Sequence, residues 1–193
     1  MCEVDRCIKE IAMRLVAQSQ TVAVAESVTC GWLQTRLGSI SGASRFFQGG
    51  ITAYQWLGKV RLLDVDPMHA RKVDCVSALV AEQMAQTVAR HFAADWGLAT
   101  TGYAEPDAAK EIDDPFAYVA IWRRHGDLRQ RQVKSHRTGA VIGNERGNAM
   151  ASQGQVVWLD RISVAGSREE VQREIAARLL AEFAGRLAAD ERR

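Results

Sequence analysis

The sequence predicts an α/β fold of three layers, with helices on both faces of a mixed sheet that carries one antiparallel hairpin. Three observations carry that prediction. Helical and strand-like periodicities alternate almost from end to end. The run TVAVA at Thr21 to Ala25 is apolar after its first residue, as a strand covered on both faces requires. Strand-like segments 116–122 and 128–134 flank His125-Gly126-Asp127, which reads as a hairpin turn. The chain has 193 residues, 47% of them hydrophobic and 25% charged. A chain of that size can bury about 70% of the surface its unfolded form exposes, so a single domain over residues 1–193 is expected without disulfides or metals.

The elements follow in order. Val4, Cys7, Ile8, Ile11 and Leu15 recur at three- and four-residue spacing, which predicts a helix over 4–18. After the TVAVA strand, Glu26-Ser27-Val28-Thr29-Cys30-Gly31 forms a polar turn and WLQTRL a helix ending at Gly38. Gly49 and Gly50 precede a strand at ITAY, and 59–63 reads as a short helix closed by Asp66 and Pro67. Leu79, Val80, Met84, Val88 and Phe92 mark a longer helix starting near Ser77, a good N-cap. Gly97 to Thr101 reads as a buried strand, and strand character returns at Val156 to Ser163. Residues 139–154 hold four glycines and read as an irregular excursion. The last helix has the clearest signals, with Ser167 and Glu170 as a capping box and Val171, Ile175, Leu179, Phe183 and Leu187 every fourth residue.

Composition excludes several functions. With 25 basic and 23 acidic residues the formal charge is +2, too small for a dedicated nucleic-acid binder. The basic concentration at Arg123, Arg124, Arg129, Arg131, Lys134 and Arg137 reads as a solvated strand face. No apolar run approaches the ~20 residues of a membrane-spanning helix, so no membrane association is expected. The four cysteines have no zinc-ligand spacing and no export signal is visible, which points to free thiols in the cytoplasm. The four histidines form no helical zinc motif and no dinucleotide-binding glycine loop is present, so neither a metal nor a cofactor is expected.

One turn can carry chemistry. Ser27 sits at the carboxyl end of the first strand, where α/β sheets bind ligands, and the amides opening the next helix favour an anion. Its hydroxyl is a candidate nucleophile, though from residue types alone Ser27 or Thr29 reads better as a helix cap. A serine nucleophile needs a base, and Lys59 and Tyr54 are the candidates. The chain has five lysines against twenty arginines, and only lysine can lose its proton to serve as a base.

Several segments, in this order, resemble the CinA C-terminal domain family, the nicotinamide-nucleotide amidohydrolases that convert nicotinamide mononucleotide to nicotinate mononucleotide and ammonia. TVAVAESVTCGWLQTRL is similar to the family's strand-AESxTGG-helix segment, and FFQGGITAY with Lys59 to its GG-strand-Tyr segment with a lysine five residues after the tyrosine. VSALVAEQMA, GLATTG and AGSREEV resemble three further family segments, so the resemblance covers most of the chain. It implies Ser27 as the acyl-accepting nucleophile and Lys59 as its base, with Tyr54 beside them. It also implies an oxyanion site at the amides of Thr29, Cys30 and Gly31, a pocket lined by Thr101 and Gly102, Arg168 as a phosphate partner, a small nucleotide or amide substrate, and a homo-oligomer.

Three positions depart from the family pattern. Cys30 stands for a glycine, Trp56 for an asparagine, and Ala104-Glu105-Pro106-Asp107-Ala108 for a glycine-rich loop, where Glu105 and Asp107 would repel a substrate phosphate. The alternative reading is a catalytically impaired relative that keeps the fold as a ligand-binding or interaction module.

Overall fold

A computed structural model describes residues 3–125 and 154–190. The elements are α1 (Glu3–Gln18), β1 (Val22–Glu26), α2 (Trp32–Gly38), β2 (Phe47–Thr52), α3 (Trp56–Leu63), α4 (Pro67–Lys72), α5 (Ala78–His91), β3 (Trp96–Tyr103), β4 (Phe116–Arg124), β5 (Gly154–Ser163) and α6 (Arg168–Asp190). The five strands form one sheet in the order β2-β1-β3-β4-β5. β1 pairs in parallel with both β2 and β3, and β4 pairs antiparallel with both β3 and β5. The predicted mixed sheet between helical layers is therefore present.

Period-two alternation divides the sheet between two cores. Val22, Val24, Trp96, Leu98, Val119 and Ile121 belong to one core, with Ile8, Ile11 and Leu15 of α1 and Val171, Ile175, Leu179 and Phe183 of α6. Ala23, Ala25, Ala99 and Ala120 belong to the other, with Leu63 of α3, Ala70 of α4 and Val80, Met84 and Val88 of α5. One face of the sheet is thus built of large side chains and the other mainly of alanine. On the alanine face α5 approaches β3 so closely that a Cβ at Gly97 would lie 2.0 Å from the Ala85 carbonyl oxygen.

Three elements depart from the sequence reading. β2 runs through Gly49 and Gly50 instead of starting after them, because pairing with β1 supplies order that glycine's own preferences do not. It also ends at Thr52, which leaves Tyr54 in the following loop. Asp66 and Pro67 open a helix instead of closing one: the Asp66 carboxylate accepts from the His69 amide and Pro67 takes the first helical position, where no amide hydrogen is needed. The antiparallel partner of β4 opposite β3 is β5, while the predicted strand 128–134, the hairpin turn beyond His125 and residues 139–153 lie outside the described residues. At the start of α6, Glu170 accepts from both the amide and the hydroxyl of Ser167, closing the predicted capping box through the carboxylate.

Candidate active site

At the carboxyl ends of β1 and β3 lies a pocket of about 260 Å³. Ser27 reaches it from the exit of β1, Tyr54 and Lys59 from the β2–α3 connection and α3, Thr101 and Gly102 from β3, and Arg168 from the first turn of α6. Six of the nine residues singled out in the sequence meet here. Thr29, Cys30 and Gly31 do not line it.

The turn after β1 is organised by a residue the sequence reading passed over. Glu26 is fully buried. Its carboxylate accepts from the Thr29 hydroxyl at 2.7 Å and from the amides of Gly31, Leu33 and Gln34 at 2.9, 3.1 and 2.9 Å. The negative charge sits at the positive end of α2 and takes the donors that an N-cap side chain would otherwise satisfy. Neither Ser27 nor Thr29 caps α2, which corrects the capping assignment. The Cys30 amide bonds back to the Ser27 carbonyl at 3.2 Å, so the amides of Cys30 and Gly31 are already spent. The anion site expected there is filled by the chain's own carboxylate.

The Ser27 hydroxyl is left unengaged by this arrangement. Ser27 is 6% exposed, and its side chain makes no hydrogen bond among the described residues. Lys59 is buried at 3% exposure, and its Nζ donates to the Tyr54 carbonyl at 2.9 Å. Burial pushes the ammonium down from the usual lysine value of 10.5, against smaller opposing effects of Cys75 and Asp74. Among the described residues no carboxylate lies within salt-bridge distance of that amine. Tyr54 therefore positions Lys59 through its main chain, while its half-exposed phenol bonds to the Arg168 guanidinium at the rim.

Four further lining residues were not legible as site residues: Asp74, Cys75, Tyr103 and Lys110. Asp74 and Cys75 are consecutive non-glycine residues in the left-handed region, with φ of 49° and 61°. That turn is held by the Thr101 hydroxyl, which donates to the Cys75 carbonyl at 2.7 Å. Burial pushes the Cys75 thiol up. Burial also opposes ionisation of Asp74, but hydrogen bonds from Lys110 and Tyr103 outweigh it and hold the carboxyl below its ordinary value. Tyr103 is pushed up to about 12, chiefly by burial and then by Asp74, and Lys110 is raised by its bond to Asp74. Gly102 is required by its neighbour strand, since a Cβ there would lie 2.1 Å from the Phe116 carbonyl oxygen.

A larger groove of about 870 Å³ runs beside α6 near Trp32, Arg36, Arg173 and Arg178, but among the described residues its lining holds no lysine, cysteine or histidine to activate a nucleophile. Among the described residues no group of three or more His, Cys, Asp or Glu could hold a metal ion, and no helix is long and apolar enough to cross a membrane.

The family model of the CinA C-terminal domain matches residues 4–142. A CinA-like protein of Thermosynechococcus vestitus is 39% identical over 126 residues, covering 64% of this chain and 30% of the relative. A CinA-like protein of Rippkaea orientalis is 44% identical over 134 residues, covering 69% of this chain and 30% of the relative. The chain thus spans about 30% of the length of these curated relatives. Among solved structures, the competence damage-inducible protein A of Klebsiella pneumoniae superposes with a TM-score of 0.77 at 20% identity, over 97% of this chain and 98% of that one. The competence/damage inducible protein CihA of Agrobacterium tumefaciens gives 0.72 at 19% identity, over 97% of each. The shared architecture extends over nearly the whole chain.

Proposed function

This chain belongs to the CinA C-terminal domain family, and from that premise we propose that it hydrolyses the carboxamide of a pyridine mononucleotide, or of a related amide with less negative charge, to a carboxylate and ammonia. The form named by the family resemblance is nicotinamide mononucleotide. One observation carries the reading: an unengaged serine hydroxyl and a buried lysine amine without a carboxylate partner line the same small pocket.

Lys59, neutral in its working form, takes the proton of the Ser27 hydroxyl as Oγ attacks the carboxamide carbon. The tetrahedral oxyanion needs hydrogen-bond donors. The amides of Val28 and Thr29 have no partner among the described residues, and Val28 lines the pocket, so these two are the donors the turn still offers. Lys59 then returns its proton to the departing nitrogen, ammonia leaves, and an acyl ester remains on Ser27. Water, deprotonated by the same amine, cleaves the ester to give the carboxylic acid and regenerate the serine. Burial of Lys59 favours the neutral amine this step needs, because a solvated lysine stays protonated.

The test is ammonia release from pyridine carboxamides by wild-type protein and by Ser27→Ala. Turnover by the wild type and its loss in a folded Ser27→Ala support the reading. Equal rates remove Ser27 from the mechanism. Ligand-induced thermal stabilisation without turnover would favour a binding module instead.

A further inference from the structure

The rim of the pocket carries its own counterions. Arg168 lines the pocket, and its guanidinium bonds to Glu105 through one terminal nitrogen and to the Tyr54 hydroxyl through the other. Lys110 lies 2.7 Å from Asp74 and 3.7 Å from Asp107. Among the described residues, both cations at the rim are thus matched by carboxylates, three acids facing two bases, while Lys59 is buried and already donates its Nζ to the Tyr54 carbonyl. The anion-favouring start of α2, beside the turn after β1, is filled by Glu26.

Among the described residues lining the pocket, a phosphate dianion finds no exposed cation without a carboxylate partner and must displace Glu105 or stand beside it. A pyridinium nucleoside brings a positive charge and no phosphate, which suits a rim one negative charge in excess. Resting on the proposed amide hydrolysis, we infer that the substrate is the phosphate-free form, a pyridinium carboxamide nucleoside, and that Glu105 sets this preference by occupying Arg168. Charge juxtaposition of this kind acts through discrimination between ligands more than through protein stability, because exposed ion pairs contribute little to folding.

The experiment compares nicotinamide riboside with nicotinamide mononucleotide, at low and at high salt, on the wild type and on Glu105→Gln. The wild-type kcat/KM for the riboside should exceed that for the mononucleotide by roughly tenfold, and salt should narrow the gap. Glu105→Gln should shift the ratio toward the mononucleotide by a similar factor. A wild-type preference for the mononucleotide, or a ratio that Glu105→Gln leaves where it was, overturns the inference. Calorimetric binding of both compounds to Ser27→Ala separates this from the catalytic reading. Tighter riboside binding without turnover by the wild type upholds the charge preference and defeats the hydrolase, while binding of neither compound defeats both.

Discussion

Lys59 is held by a single main-chain acceptor, and its ease of deprotonation depends on what else surrounds it. Lys59→Arg keeps a cation of similar reach that cannot give up its proton, so turnover should fall by about 10²- to 10⁴-fold while the melting temperature stays close to that of the wild type. Retained activity would show that the base lies elsewhere. The rate should rise with pH through an apparent pKa below the usual lysine value, because burial favours the neutral amine. Asp74 works against this, its charge favouring the ammonium. Asp74→Asn should therefore move the acid limb of the pH–rate profile to lower pH, and a shift upward would refute the electrostatic account. Tyr54→Phe removes the phenol but not the carbonyl that orients Lys59, so kcat should change far less than in Lys59→Arg. A loss as large as that of the lysine variant would give the phenol a part in the proton transfer.

At the scale of elements, the β1–α2 turn depends on Glu26. Glu26→Gln leaves one carbonyl oxygen to serve donors now shared by two, and it sets an amide NH₂ among N–H groups. A loss of about 2–3 kcal/mol in unfolding free energy is expected, with Ser27 misplaced and activity reduced. Denaturant unfolding monitored by circular dichroism checks it, and a loss under about 0.5 kcal/mol would mean the carboxylate is dispensable.

The same turn shows where sequence reasoning succeeds and where it stops. α1, α5 and α6 were legible because three- and four-residue spacing records which face is buried; the site position of Ser27 followed from where the first strand ends, Lys59 stood out as a candidate base, and Thr101 and Arg168 were implied by the family resemblance. Glu26 was not legible as a cap, because it lies in β1 and meets its amide donors five to eight residues later only after the chain has turned. Asp74 and Cys75 were missed for a related reason. A left-handed pair without glycine leaves no compositional sign, and it persists only because surrounding contacts impose it. The Arg168–Glu105 pair joins residues 63 apart in sequence, so spacing could not forecast that the expected phosphate partner would be paired with a carboxylate of the altered loop.

For the whole molecule, the pocket draws on β1, α3, the turn before α5, β3 and α6, so it exists only when both cores are assembled. Phe183 on α6 is fully buried and packs edge-on against Trp96, with ring centroids 5.4 Å apart. Phe183→Ala should cost about 3–5 kcal/mol, and activity and secondary structure should be lost in one transition on heating. Activity that outlasts the helical signal would show that the site is more local than this assembly implies.

The unequal sides of the sheet have an evolutionary corollary. Where β3 touches α5 there is no vacant volume, so substitutions that add a methyl group there would be purged, whereas opposite them, beneath α1 and α6, it is trimming that would be purged. Descendants of this chain should accordingly drift in bulk on neither side yet be policed in opposite senses, and a saturation library scored for folding would register that as two mirror-image tolerance profiles along alternate positions of a single strand.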